Sequence, residues 1–123
     1  MSLPPHIPTG NYPASAPVHV LDLELAADQM IAKMQGRRRH TETLAREAGT
    51  SVVMMAMEAG DVIKEHTAPS AVSVHLFRGM IELNAGGQSL ELRAGQLAFL
   101  QPKVPHDLAA KEQSVVILTL SEA

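Results

Sequence analysis

Ile81-Glu82-Leu83-Asn84-Ala85-Gly86-Gly87-Gln88-Ser89-Leu90-Glu91-Leu92-Arg93 alternates apolar and polar residues on both sides of a Gly-Gly pair. Alternation with period two gives a strand one apolar face, and paired glycines supply the positive φ angles of a tight hairpin turn. The stretch therefore predicts a β-hairpin with one face against a core. Outward from it, Leu97 to Leu100 and Val115 to Leu120 read as strands, as does Ala71 to Phe77, rich in β-branched residues and just ahead of Gly79. Ser51 to Glu58 is apolar on both faces, as in a strand held between two layers. Short strands separated by Gly, Pro and Asp, with no helices alternating between them, predict an all-β antiparallel barrel or sandwich and exclude a doubly wound α/β sheet.

One helix precedes the strands. Leu23, Ala26, Ala27, Met30, Ile31 and Met34 recur at helical spacing behind Asp22, a good N-cap, and ahead of Gly36, a good stop. The expected helix covers about residues 23–35. Residues 1–17 hold five of the eight prolines and read as an extended arm, leaving residues 18–123 as one domain. Arg37, Arg38 and Arg39 suggest a phosphate patch, but no aromatic or glycine is interleaved with them, and a solvated strand start or a salt-bridge surface between subunits fits better.

Composition removes several functional classes. The 123 residues include 10 Lys and Arg against 13 Asp and Glu, for a net charge of −3, which argues against a general polyanion binder. Tyr12, Phe77 and Phe99 are the only aromatics, too few to stack the bases of a single strand. The absence of cysteine removes disulfides, thiolate nucleophiles and cysteine-ligated metal sites. No apolar run approaches the length of a membrane helix, and no basic-then-apolar leader opens the chain. The expectation is a soluble, cytoplasmic protein with no nucleic-acid or membrane partner.

Two stretches bear on chemistry. Gly60 to Gly79 contains Gly60, His66 and Gly79, and Gly95 to His106 contains Gly95, Pro102, Pro105 and His106. Together they resemble the two motifs of the cupin superfamily, in particular its small single-domain, conserved-barrel (cupin 2-like) members, over roughly residues 45 to 120. The resemblance implies an antiparallel jelly-roll barrel. Metal-binding cupins use two histidines and a glutamate of the first motif with the histidine of the second. Here Ala68 and Val72 occupy the second histidine and glutamate positions, while Gln101, Lys103 and Ala110 replace the proline, glycine and asparagine of motif two. Two imidazoles fall short of the three or four protein ligands that a first-row metal usually takes. No metal cofactor is therefore expected, although His66 and His106 would hold one if present, joined by His75 if a strand bulge turned that residue inward.

Strand parity assigns the remaining candidates. Val62, Lys64 and His66 share one side, taken as the lumen, which would either put the Lys64 ammonium beside the histidines or leave it at the rim with its head in water. Val72, Val74 and Leu76 face the lumen, so Ser73, His75 and Phe77 face away. Glu65 points away from His66, and Asp107 is expected to cap a turn. Lys64, His66 and His106 are accordingly the expected ligand-binding residues for a small polar or acidic molecule. The alternatives are a metal-dependent enzyme of oxygenase, isomerase or decarboxylase type, as the resemblance permits, or a structural or regulatory dimer module. A homodimer is expected because Val52, Met54 and Ala56 lie opposite Val53, Met55 and Met57, and a barrel core covers only one such face.

Overall fold

A computed structural model of the chain describes residues 17–121. The arm expected over residues 1–17 lies outside these residues except for Pro17. Helix α1, Leu23–Met34, begins where the Asp22 side chain accepts a hydrogen bond from the Leu25 amide at 3.0 Å. Its end is set by two left-handed residues, Gln35 at φ 46° and then Gly36 at φ 83°. The stop thus begins one residue before the glycine.

Nine strands follow: β1 (Arg39–Glu47), β2 (Thr50–Met57), β3 (Val62–His66), β4 (Val72–Arg78), β5 (Met80–Ala85), β6 (Gln88–Arg93), β7 (Leu97–Leu100), β8 (His106–Ala110) and β9 (Ser114–Ser121). They form two antiparallel sheets, ordered β1-β2-β9-β4-β7 and β3-β8-β5-β6. The expected hairpin is β5–β6, paired Ile81 with Leu92 and Leu83 with Leu90. Apolar patterning does not single out β1. Only Leu44 on it is fully buried, inserted at a register shift between Thr43 and Ala45.

The apolar residues divide into two layers. Met55, Met57, Val72, Val74, Leu76, Ile81, Leu83, Leu100, Leu108 and Val116 fill the space between the sheets. Behind the larger sheet, Ala26, Ala27, Met30 and Met34 of α1 pack on Leu44, Met54, Ala56, Val115 and Ile117. β2 is apolar on both faces because it separates these two layers, as the pattern predicts. The last turn of α1 is pinned by Lys33, whose Nζ donates to Glu42 Oε1 at 2.8 Å, and His40 Nε2 lies 3.2 Å from the same oxygen. Burial pushes the Glu42 carboxyl pKa up, but these two hydrogen bonds outweigh it and hold the group below its ordinary value.

Arg39 answers the question of the arginine run: its guanidinium grips buried Asp61 through two bonds of 2.8 and 3.0 Å, so it is a strand-start clamp within the chain. No helix among the described residues is long and apolar enough to cross a membrane. Helix α1 covers the outer face over β1, β2 and part of β9, and Arg78 at the end of β4 reaches it through Asp28 and Glu24. On β7, at the other side of the same sheet, Leu97 and Phe99 are 56% and 71% exposed.

Candidate functional site

Antiparallel pairing brings the two histidine-bearing segments to one end of the barrel. β3 finishes there, β8 starts there, and the β5–β6 turn and the Leu100 end of β7 lie at the same end. Across the small sheet, Val62 pairs with Ala109, Ile63 with Leu108 and His66 with His106. Three steps along β3 match two along β8, so a β-bulge inserts one residue, and Lys64 and Glu65 together stand opposite Asp107.

The bulge corrects the parity reading of β3. Ile63, not Val62, packs on the barrel interior, and Val62 is 52% exposed. Lys64 is exposed as well, so of the two placements expected for it the rim holds, not the desolvated lumen. The inserted residue restores His66 to the lumen register, because it flips every side chain beyond it. Asp107 is also placed differently from expectation: it lies within β8 and accepts a 2.7 Å hydrogen bond from Asn84 Nδ2 on β5.

His66 and His106 meet, with ring centroids 4.2 Å apart and planes inclined at 60°. His106 is 8% exposed, whereas His66 lies at the surface of the mouth. Each Nδ1 sits 3.0 Å from the carbonyl oxygen two residues back, Lys64 for His66 and Val104 for His106. A carbonyl only accepts, so each Nδ1 carries the hydrogen, and in the neutral rings both Nε2 atoms are acceptors. Each neutral imidazole is thus left with Nε2 as its acceptor. Leu108, two residues along β8 from His106, and its partner Leu83 belong to the apolar interior, as does Val72.

The residues present do not supply the full donor set of the metal site that the family resemblance implies. Val72 is 5% exposed and packed in the interior, Ala68 packs against the same core, and neither offers a lone pair. Among the described residues, no three His, Cys, Asp or Glu side chains converge to hold a metal ion. Two donors fit a resident first-row ion poorly. His75 does not repair the set: it lies on the outer face with its ring 6.2 Å from that of Phe77. The only register shift in β4 falls after it, between Leu76 and Arg78.

Two features of the mouth are invisible to spacing. Lys103, at the glycine position of the second motif, keeps a left-handed φ of 66°, and its amide donates to the Ala68 carbonyl at 2.8 Å. The loops before β4 and before β8 are thereby tied together. At the same end of the small sheet, a cavity of about 420 Å³ lies on the side of Asn84, Ser89 and Asp107, opposite to the core face of β5 and β8, and Glu65 and Gln88 also line it.

Comparison with known proteins agrees with this architecture. No protein-family model and no curated protein sequence matches the chain. Solved structures do. An RmlC-like cupin from Shewanella frigidimarina superposes with a TM-score of 0.67 at 21% identity, over 70% of this chain and 78% of that one. KdgF from a Halomonas species gives 0.66 at 19% identity, over 71% and 82%. A cupin superfamily protein from Desulfitobacterium hafniense gives 0.67 at 11% identity, over 71% and 80%. The two antiparallel sheets and the paired mouth histidines thus belong to a protein of the cupin fold. Of the four ligand positions that the sequence resemblance implies, His66 and His106 carry a donor and Ala68 and Val72 do not.

Proposed function

We propose that this cupin-fold protein binds a small polar molecule at the barrel mouth, with His66 and His106 orienting it, and that binding there does not use a resident transition metal. The observation that carries the reading is the histidine pair: two rings 4.2 Å apart at the mouth, each with its Nδ1 on a backbone carbonyl and so with Nε2 as the acceptor of the neutral ring, and with Ala68 and Val72 where further donors would stand. A concave site with few converging polar groups over apolar walls is the usual form of a small-molecule site. Purified without a histidine tag and dialysed, the protein should retain less than about a tenth of an equivalent of zinc, iron, nickel or manganese by elemental mass spectrometry, given two protein ligands instead of three or four. Stoichiometric metal that disappears in His106→Ala would overturn the reading.

A second copy of the chain is proposed as the cover for the part of the outer sheet face that α1 leaves bare. Leu97 and Phe99 project from the same side of β7, beside His75 and Ser73 on β4, and removing such a face from water favours association. Light scattering at micromolar concentration should give twice the chain mass, and Phe99→Asp should give the monomer. A monomeric wild-type protein would refute this.

A further inference from the structure

Strand register fixes what stands on the inner face of the small sheet at its open end. His66 pairs with His106, His106 with Ala85, and Ala85 with Gln88, so these four residues form one row across β3, β8, β5 and β6. The next row inward is Ile63, Leu108, Leu83 and Leu90, apolar throughout. Directly opposed residues of an antiparallel pair have Cβ atoms about 5 Å apart, and the small side chain of Ala85 leaves room between His106 and Gln88. β6 and β7 are edges of different sheets, and no ladder joins them. Between them, toward the mouth, lies a slot of about 290 Å³, lined by Ala85, Gln88 and Leu90 on one side and by Ala98, Leu100 and Gln101 on the other. Exposure along the inner face of β6 follows the slot: Leu92 is 8% exposed, and Leu90, two residues nearer the mouth, is 40% exposed. No charged side chain lines the slot. Its polar side chains are the amides of Gln88 and Gln101, each able to donate and to accept.

Resting on the reading of His106 as part of the binding site, we infer that the molecule bound at this mouth is an uncharged alkyl alcohol, its hydroxyl donating to His106 Nε2 and its short chain lying in the slot between β6 and β7. The leucine and alanine walls take the methylenes out of water, which favours binding in proportion to the apolar area removed. A hydroxyl donates to an imidazole acceptor and still accepts from a glutamine amide, so both of its roles are met at the row of His106 and Gln88. A charged end would lose its hydration in a slot with no counter-ion. The acidic ligand expected from the sequence relied on Lys64, which is exposed and does not line the slot.

Two matched series test it at neutral pH. Ethanol, n-butanol and n-hexanol lengthen the chain and keep the hydroxyl, while hexanoate and hexylammonium keep the chain and add a charge of either sign. Each is titrated into the full chain carrying ¹³C in its leucine and alanine methyls and ¹⁵N in its histidine and glutamine side chains. Each added pair of methylenes should tighten binding about tenfold, and n-hexanol should bind at least about tenfold more tightly than either ion. Protons of the hexyl chain should show Overhauser contacts to the Leu90 and Ala98 methyls while His106 Nε2 shifts. Leu90 lies outside the buried core, so Leu90→Gln should fold and should weaken n-hexanol about fivefold. Val62→Gln, at the exposed residue on the opposite edge strand, should leave binding unchanged. Equal responses of His106 to all three alcohols would overturn the slot and leave the histidine site standing. Either ion binding as tightly as n-hexanol would overturn the uncharged class. Contacts at Leu90 and Ala98 with His106 unmoved would separate the slot from the histidines and overturn the inference. Silence at both places up to about 50 mM n-hexanol would overturn the alkyl alcohol as ligand, while the histidine reading keeps its own test in the metal analysis.

Discussion

Gly79→Ala should lower the melting temperature by roughly 10 °C, the equivalent of about 3 kcal/mol in a domain of this size. Two effects combine at this residue. Its φ is 92°, a conformation that L side chains rarely adopt. A Cβ there would also lie 2.3 Å from Ser114 Oγ, 2.5 Å from the Gln113 carbonyl oxygen and 2.8 Å from Ser114 Cα. Two of those atoms are backbone, and Ser114 Oγ is held by the Met80 amide at 3.1 Å and the Glu112 carbonyl at 2.8 Å. Nothing nearby can give way cheaply. Gly87→Ala is the control, because Gly87 has φ 78° but open space around it, and it should lose only about 1 kcal/mol. Urea denaturation of the two variants decides the matter. Equal losses would show that the close approach at Ser114 contributes nothing.

Leu76→Ala should cost about 2–5 kcal/mol, the range for truncating a fully buried leucine where the surroundings collapse only partly. Leu76 has no exposed surface and packs between the sheets, its backbone paired with Val116 on β9. Its own strand is fixed on the other side as well, by bonds of 2.9 and 2.8 Å to Gln96 and Gly95. Main-chain anchoring on both sides prevents the walls from closing over the missing methyl groups. The residue lies near the end of β4 remote from Val72 and the histidine mouth. The loss should therefore appear in equilibrium unfolding while the His66 and His106 imidazole signals stay in place. A loss below about 1 kcal/mol would mean that the interior repacks freely. Movement of the histidine signals would mean that the two ends of the barrel are coupled.

How much of this was legible depends on how local each cause is. Helix α1 begins at Asp22 and ends within a residue of its expected limit, because capping and helical spacing act over a single turn. The β5–β6 hairpin is equally local. Glycine spacing and the two histidines pointed to the jelly-roll barrel and to the meeting of His66 with His106, and the outward direction of His75 followed from simple alternation. Alternation failed along β3, where Ile63 and not Val62 faces the interior and Lys64 is exposed, as the rim alternative has it. A bulge is a mismatch between two strands, and the partner of β3 is β8, some forty residues away. Asp107 was misread as a turn cap for a related reason, since its partner Asn84 becomes visible only once β5 and β8 are paired.

By itself, then, the sequence determined the elements whose causes lie within a few residues, the two-faced character of β2, and the loss of lone pairs at positions 68 and 72, because a side chain's chemistry is carried by its identity. Tertiary structure alone decided how β3 meets β8. One extra residue in β3 sets Lys64 and Glu65 together opposite Asp107 and returns His66 to the register of His106. Side-chain direction in a sheet depends on register against a neighbouring strand, and register is fixed by contacts far apart in the chain.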